Sequence, residues 1–204
     1  MRKIGLFGGS FNPIHQGHLL LAEQAREALK LDKVIFIPAR MPPHKNPRGL
    51  AKGEDRLRMV RLAIAGNPHF EASSVEMRRR GVSYTVDTVN KLRRRFGKTA
   101  ELYFLIGMDT VKELSTWKDI RELTELCRFV PLSRPGVKRA KIGDLVPPLS
   151  RVRAQEILRA AVPMPLVDIS SSDIRNRIAE GRSIRYMMSD AVAAYILRKK
   201  LYTR

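Results

Sequence analysis

Residues 8–18 read Gly8-Gly9-Ser10-Phe11-Asn12-Pro13-Ile14-His15-Gln16-Gly17-His18 and separate an apolar run at 4–7 from a helical pattern that begins near Gly17. A strand, a glycine-rich turn and a helix N-terminus in this order present backbone N–H groups and the positive end of a helix dipole to an anion. Gly8 and Gly9 let the backbone approach a phosphate closely, because neither carries a Cβ. His15 and His18 stand where the loop becomes helix, so both rings can point at one spot. The stretch predicts a site for phosphate chemistry.

The length and composition predict one folded domain, spanning 1–204. The chain has 204 residues with 44% hydrophobic content, which suffices to bury a core. Its apolar runs are strand-sized, and the run after Met1 stops at Gly8, too early for a signal peptide. The single cysteine, Cys127, excludes an intrachain disulfide framework and is expected to be a small core residue. We therefore expect a cytoplasmic protein that does not enter a membrane.

The charge balance is strongly basic: 39 Lys and Arg against 20 Asp and Glu give a formal net charge of +19. Such a balance favours anionic ligands and also nucleic acid. The basic residues are scattered along the chain instead of forming one arm. Solvated helix faces and a compositional bias account for most of them, so no specific nucleic-acid partner is expected.

Apolar runs recur roughly every 30 residues between helical patterns, which is typical of βαβ units. The predicted strands are 4–7, 34–37, 70–75, 102–106, 129–132 and 166–169. This alternation predicts an α/β fold with a doubly wound, Rossmann-like parallel sheet, helices on both faces and a small C-terminal helical part. Ligands of such sheets bind outside the carboxyl ends of the strands. The polar loops at 38–45, 107–109, 133–136 and 170–175 each follow a predicted strand, so we expect them to form one rim.

A second anion site is predicted at 170–175. Ser170, Ser171, Ser172 and Asp173 precede Ile174, as at a helix N-terminus that the hydroxyls cap. Capping alone is a sufficient structural explanation for them. Arg175, however, stands in the first turn, where a cation is unfavourable for the helix dipole unless an anion binds there. The segment is therefore suited to hold β- and γ-phosphates.

The glycine–histidine turn resembles the signature of the nucleotidyltransferase superfamily with the His-x-Gly-His motif. Its full form, GGSFNPIHQGH, is most similar to that of the bacterial nicotinate mononucleotide adenylyltransferases. Residues 169–175 resemble the second signature of that family, Ile-Ser-Ser-Thr-x-Ile-Arg, with Ser172 in place of the threonine. About six separated blocks match in order between Lys3 and Ile196, and only the region around 136–158 lacks matched motifs.

Further blocks of the resemblance suggest ligand contacts. Gly107, Asp109 and Trp117 match a Gly-x-Asp…Leu-x-x-Trp block, in which the carboxylate can accept from ribose hydroxyls and the indole can stack on a heteroaromatic ring. Core packing for Trp117 and N-capping for Asp109 remain open alternatives. The resemblance also implies that Thr85 contacts a nicotinate ring and that Arg134 lies near the mononucleotide.

Lys45 lies in a proline-stiffened loop and is suited to neutralising charge on transferring phosphates, although an exposed surface lysine is the alternative.

The resemblance implies transfer of the adenylyl group of ATP to nicotinate mononucleotide, giving deamido-NAD and pyrophosphate in NAD biosynthesis. In-line attack without a covalent enzyme intermediate suits such chemistry, which needs positioning and charge stabilisation. Mg²⁺ would be held largely by ATP and water, with no protein ligand assigned.

The expected catalytic residues are His15, His18 and Arg175. The expected ATP-binding residues are Gly8, Gly9, Ser10, Phe11, His15, His18, Gly107, Asp109, Ile169, Ser170, Ser171 and Arg175. The expected substrate-binding residues are Lys45, Thr85, Trp117 and Arg134.

Two alternatives stay open at this point. The acceptor could be another phosphate, such as nicotinamide mononucleotide or phosphopantetheine. The chain could also be a non-catalytic, basic nucleic-acid-binding protein. Against the second, aromatic content is only 6%, and both predicted phosphate sites face one rim. The oligomeric state does not follow from the sequence.

Overall fold

The computed structural model describes residues 1–41, 49–79, 81–97, 99–133 and 136–203 of the chain. The strands are β1 (Arg2–Gly9), β2 (Lys33–Pro38), β3 (Phe70–Ala72), β4 (Ala100–Gly107), β5 (Arg128–Ser133) and β6 (Val162–Pro163). They form one parallel sheet in the order β3-β2-β1-β4-β5-β6. This is the doubly wound arrangement that the strand–helix alternation predicts.

Helices connect the strands and cover both faces of the sheet. They are α1 (Gln16–Leu29), α2 (Gly53–Ala63), α3 (Thr85–Phe96), α4 (Met108–Val111), α5 (Ile120–Leu126), α6 (Ile142–Leu145), α7 (Arg151–Arg159), α8 (Ser171–Ala179) and α9 (Asp190–Lys199). A short 3₁₀ helix covers Leu114–Thr116. The fold class predicted from the sequence is confirmed, including the helical part that ends the described chain.

The central strands are hydrophobic on both sides because each side packs against helices. In β4, Leu102, Phe104 and Ile106 join the core beneath α3, α5 and α7. The alternate residues Tyr103 and Leu105 join the core beneath α1, α2 and α9. Two apolar layers on one sheet are the arrangement that keeps a parallel sheet away from water.

The strand order places the functional loops. β1 pairs with β2 on one side and with β4 on the other, so the order of winding reverses between β1 and β4. Gly9 lies opposite Pro38, and Phe7 opposite Leu105, so the carboxyl ends of these strands are nearly level. A crevice opens at such a switch point. The turn after β1 and the residues after β4 therefore face each other.

One predicted strand, 166–169, is wrong. The sixth strand is Val162–Pro163, and the chain after it is irregular. Pro163 and Pro165 have no N–H to donate to a ladder, which limits this segment to a two-residue pairing with the edge of β5. Leu166 is 69% exposed instead of buried. The predicted strand 70–75 is also shorter and ends at Ala72.

Cys127 is buried in the core beneath α3 and α5, as expected from the sequence. Burial raises the pKa of its thiol to about 12, which keeps the sulfur protonated and unreactive. None of the helices in the described part of the chain has the length and apolarity that crossing a bilayer requires.

Arg56 of α2 is the largest fully buried side chain among the described residues, with no exposed surface. Its guanidinium donates to three backbone carbonyls: Nε to Ala51 (2.9 Å), Nη1 to Ser10 (2.7 Å) and Nη2 to Arg40 (3.1 Å). Burial lowers the pKa of Arg56, but an arginine starts so high that it remains charged. This one side chain ties the turn after β1 to the segment between β2 and α2.

Replacing Arg56 by methionine is expected to lower the free energy of unfolding by about 3 kcal/mol, because three buried carbonyls lose a charged donor. Arg58→Met, an exposed position on the same helix, is the matched control and should change stability by less than about 0.5 kcal/mol. Urea unfolding of both variants measures the difference. Equal losses in the two variants would contradict a structural role for the buried guanidinium.

Candidate active site

Two cavities open at the carboxyl ends of β1 and β4. The first, here the histidine cavity, has a volume of about 390 Å³ and includes His15, His18, Ile169 and Arg175 in its wall. The second, the tryptophan cavity, has a volume of about 620 Å³. Its wall includes Gly8, Gly9, Glu76, Thr85, Asp109 and Trp117. Phe7, Ser10 and Gly107 line both, so the two cavities adjoin along the ends of the two central strands.

The two histidines lie against each other, as their spacing predicts. The ring centroids of His15 and His18 are 3.8 Å apart, and the backbone N–H of His15 donates to Nδ1 of His18 at 3.2 Å. Because Nδ1 of His18 accepts this bond, the ring proton of neutral His18 sits on Nε2. His18 is thus prepared to donate from Nε2 to an oxygen in the cavity. His15 is only 7% exposed and occupies the N-cap of α1.

Glycines in the turn make room for this ring arrangement. A Cβ on Gly17 would lie 3.0 Å from Nδ1 of His15, so a side chain there would displace the ring. A Cβ on Gly9 would press on the ring of Phe11 at 3.0 Å. Phe11 is 1% exposed and packs edge-on against His18, with ring centroids 5.1 Å apart. Its side chain packs against the histidine ring and lines neither cavity of the described chain, although the sequence analysis expected Phe11 to contact ATP.

The second predicted anion site, at 170–175, forms the N-terminus of α8, and a serine caps this helix as the structural explanation expects. Ser170 is the N-cap of α8, and its side chain accepts from the backbone N–H of Asp173 at 3.0 Å. Capping explains this one serine. It does not explain Ser171, Ser172 or Arg175, whose side chains make other contacts.

Those other contacts dock α8 on the turn after β1. The hydroxyl of Ser171 donates to the carbonyl of Pro13 at 2.8 Å. Nη1 of Arg175 donates to the carbonyl of Asn12 at 2.9 Å, and Nη2 donates to Oγ of Ser172 at 3.2 Å. The two helix N-termini, α1 and α8, therefore converge on one cavity, and the guanidinium of Arg175 stands between them. The hydrogen bond to the Asn12 carbonyl is therefore one reason why a cation, Arg175, stands near the N-terminus of α8.

The tryptophan cavity contains the aromatic and hydroxyl groups that the sequence singled out. Thr85 and Trp117 line the same wall. The indole also packs edge-on against Phe104 and Phe129, with ring centroids 5.8 and 6.1 Å apart. The two readings of Trp117, core packing and ring stacking, are thus compatible, since one edge is buried while the residue still lines the cavity.

Asp109 lines this cavity too, although its expected partner was ATP. The N-capping alternative for it is wrong, because Gly107 is the N-cap of α4 and Asp109 lies in the first turn. A Cβ on Gly107 would collide with the Asp109 carboxylate. The glycine therefore leaves room for that carboxylate at the rim.

Glu76 is a cavity residue that the sequence analysis missed. It is 7% exposed, and its Oε1 accepts from the hydroxyl of Thr88 at 2.8 Å. Burial raises the pKa of this carboxyl, and hydrogen bonds from Ser83 and Thr88 oppose the shift. A single glutamate beside several arginines resembles an exposed ion pair, so the sequence carries no signal for its burial. Lys45 and Arg134 lie outside the described residues.

Comparison with known proteins gives the family. The family model described as cytidylyltransferase-like matches residues 6–177. A protein of Thermomicrobium roseum named "Probable nicotinate-nucleotide adenylyltransferase" is 45% identical over 202 residues, covering 99% of this chain and 92% of its own. A protein of Thermoanaerobacter sp. (strain X514) with the same name is 42% identical over 202 residues, covering 99% and 95%.

A solved structure agrees on the fold. The nicotinic acid mononucleotide adenylyltransferase of Plasmodium falciparum, complexed with NaAD, superposes with a TM-score of 0.76 at 17% identity. The match covers 99% of this chain and 98% of that one. At such an identity the likeness concerns the fold alone. The full-length relatives carry the assignment, and they confirm the resemblance that rests on residues 8–18 and 169–175: this chain belongs to the nicotinate-nucleotide adenylyltransferase family.

Proposed function

We propose that this chain transfers the adenylyl group of ATP to nicotinate mononucleotide, forming deamido-NAD and releasing pyrophosphate. The observation that carries the proposal is the pair of adjoining cavities that share Ser10 and Gly107. One cavity has the groups that hold phosphates, and the other has an aromatic ring and a hydroxyl. The names of the full-length relatives support the same reaction, as does the NaAD complex of the Plasmodium falciparum protein.

The reaction needs little covalent help from the protein. A phosphate oxygen of nicotinate mononucleotide attacks the α-phosphorus of ATP, and the bond to the bridging oxygen of pyrophosphate breaks. A phosphate monoester is already largely ionised at neutral pH, since its second pKa is about 6. The nucleophile therefore requires no general base, and the protein contributes position and charge stabilisation.

On the ATP side, His15, His18 and Arg175 are the catalytic residues of this proposal. Nε2–H of His18 donates to an oxygen of the transferring phosphate, and His15 supports it from the adjacent ring. Arg175, with the hydroxyls and N–H groups at the start of α8, holds the leaving pyrophosphate. The two histidines and Arg175 all line the histidine cavity, where negative charge accumulates during the transfer.

On the acceptor side, Thr85 and Trp117 select the pyridine ring in the tryptophan cavity. Asp109 was expected from the sequence to contact ATP; because its side chain lines the same cavity, we propose that it accepts a hydrogen bond from a ribose hydroxyl there. We retain Lys45 and Arg134 as proposed contacts of the acceptor and its phosphate, on the family resemblance alone.

A divalent metal is consistent with an ATP-using family, and we propose Mg²⁺. Across the described ranges, no group of three or more His, Cys, Asp or Glu side chains is arranged to hold a metal ion. In this proposal the ion enters with ATP and is coordinated by phosphate oxygens and water. When bound, Mg²⁺ supplies neutralisation of the negative charge on the phosphates.

The direct test is pyrophosphate release by the purified chain with Mg²⁺ and ATP. Nicotinate mononucleotide, its amide and phosphopantetheine are compared side by side as acceptors. We expect turnover with the acid to exceed that with the other two. Preferred turnover on another acceptor would keep the transferase chemistry and remove the acceptor assignment. No turnover on any acceptor would contradict the proposal and favour the basic nucleic-acid-binding alternative.

His18→Ala should lower kcat by about 10³-fold, because a donor aimed at the transferring phosphate is lost. The fold should survive, since His18 is only partly buried. His69→Ala is the matched control: His69 is exposed, lies far along the chain after α2, and contacts the carbonyl of Asp32 through Nδ1. It should retain wild-type turnover. Near-normal kcat in His18→Ala would contradict the mechanism.

Thr85→Val removes a hydroxyl from the tryptophan cavity with little change in shape. We expect the KM for nicotinate mononucleotide to rise about tenfold, while the KM for ATP stays unchanged. Thr99→Val, at an exposed position away from both cavities, is the control. Steady-state kinetics with each substrate varied in turn measures both constants. An equal rise in the two KM values would argue against a role in acceptor selection.

A further inference from the structure

Asn12, in the turn after β1, makes hydrogen bonds through both the oxygen and the nitrogen of its side-chain amide. Its amide oxygen accepts from the backbone N–H of Ala51 at 3.0 Å and from the hydroxyl of Tyr202 at 2.8 Å. Its amide nitrogen donates to the carbonyl of Gly49 at 2.9 Å. The three partners agree on the orientation of the amide, because two are donors and one is an acceptor. Asn12 is 6% exposed, so these bonds are largely shielded from water.

The backbone of Asn12 has a partner as well. Its carbonyl accepts from Nη1 of Arg175, the residue assigned to the leaving pyrophosphate. The same asparagine thus contacts the arginine through its carbonyl and Tyr202 through its side chain. Any shift of the turn at Asn12 moves the carbonyl against which the Arg175 guanidinium is oriented.

Tyr202 reaches Asn12 from the chain that follows α9. Lys200 and Tyr202 have φ values of 49° and 65°, in the left-handed region, and Lys200 is the C-cap of α9. A bulky aromatic residue rarely adopts this conformation, and it persists where surrounding contacts hold it. Burial raises the pKa of the Tyr202 phenol, so the hydroxyl stays protonated and acts as the donor to Asn12.

We propose that Tyr202 is a positioning residue for adenylyl transfer, which holds Asn12, and through it the guanidinium of Arg175, in place for the leaving pyrophosphate. This inference rests on the function proposed above. Tyr202 lines neither cavity of the described chain, so it acts through Asn12 and not on the substrate. It adds to the reaction a residue that is 190 positions from its partner in the sequence.

The expected effect is on kcat. Misplacement of a catalytic group by a fraction of an ångström is costly for phosphoryl-type transfer, so loss of the Tyr202 hydroxyl should lower kcat roughly tenfold. Asn12 keeps its bonds to Gly49 and Ala51, which is why the loss is smaller than for His18→Ala. The KM for nicotinate mononucleotide should stay unchanged, because the acceptor binds in the other cavity.

The chain offers a closely matched control in Tyr195. Its hydroxyl donates to Oδ1 of Asp55 at 2.7 Å and joins α9 to α2. Neither Tyr195 nor Asp55 belongs to the wall of the histidine or tryptophan cavity. Tyr195→Phe and Tyr202→Phe each delete one hydroxyl and one hydrogen bond near the same helix. A purely structural contribution of the hydroxyl would appear in both variants alike.

The experiment measures kcat, both KM values and the melting temperature for the wild type, Tyr202→Phe and Tyr195→Phe. We expect similar small losses of melting temperature in both variants and a fall of kcat in Tyr202→Phe only. A kcat of Tyr202→Phe within twofold of the wild type, or an equal fall in both variants, would overturn the inference.

Binding of inorganic pyrophosphate, measured by calorimetry, provides a readout that does not depend on turnover. Tyr202→Phe should bind pyrophosphate several-fold more weakly than the wild type, whereas Tyr195→Phe should bind it equally well. If the wild type binds pyrophosphate but transfers nothing to nicotinate mononucleotide, the proposed function is contradicted. The pyrophosphate affinities of the two variants would then still test whether Tyr202 positions Arg175. Equal pyrophosphate affinity in all three proteins would overturn the positioning role.

Discussion

The structure of the site depends on where the carbonyl groups of one turn are directed. Carbonyl oxygens repel a phosphate, so a turn that receives an anion must have its carbonyls paired elsewhere. In the turn after β1, the backbone carbonyls of Ser10, Asn12 and Pro13 accept hydrogen bonds from side chains that are distant in the sequence. The donors are Arg56 Nη1 at 2.7 Å, Arg175 Nη1 at 2.9 Å and Ser171 Oγ at 2.8 Å. These bonds connect the turn to α2 and α8 at once.

Two of those donors are guanidinium groups, which has an electrostatic consequence. Arg56 places a positive charge under the turn in a fully buried position, and Arg175 places another at the edge of the histidine cavity. Charges in a region shielded from water act on a bound anion more strongly than surface charges do. The many exposed basic residues of this chain, by contrast, raise the local concentration of anions without orienting them.

The local parts of the site could be predicted because their signals are local. The glycine–histidine turn, the serine-rich start of α8 and the alternation of strands and helices each lie within a few residues of sequence. The prediction of a strand at 166–169 was wrong because it used apolar content alone. It did not take into account that Pro163 and Pro165 lack the N–H groups that pairing in a sheet requires. Gly8 and Gly9 were expected to allow close approach to phosphate. The structure adds that Gly9 makes space for the ring of Phe11, and Gly17 for the ring of His15.

What the sequence by itself determined is the doubly wound sheet, the meeting of residues from 8–18, 107–109 and 170–175 around the two cavities, and the family. These depend on short-range periodicity and on motifs that are contiguous in the chain. Only the tertiary structure decided the burial of Arg56, the place of Glu76 in a cavity wall and the bond from Tyr202 to Asn12. The physical reason is distance along the chain: a hydrogen bond between residues 46, 163 or 190 positions apart has no periodic trace in the sequence. It exists because the parallel sheet brings the ends of separate elements to one edge.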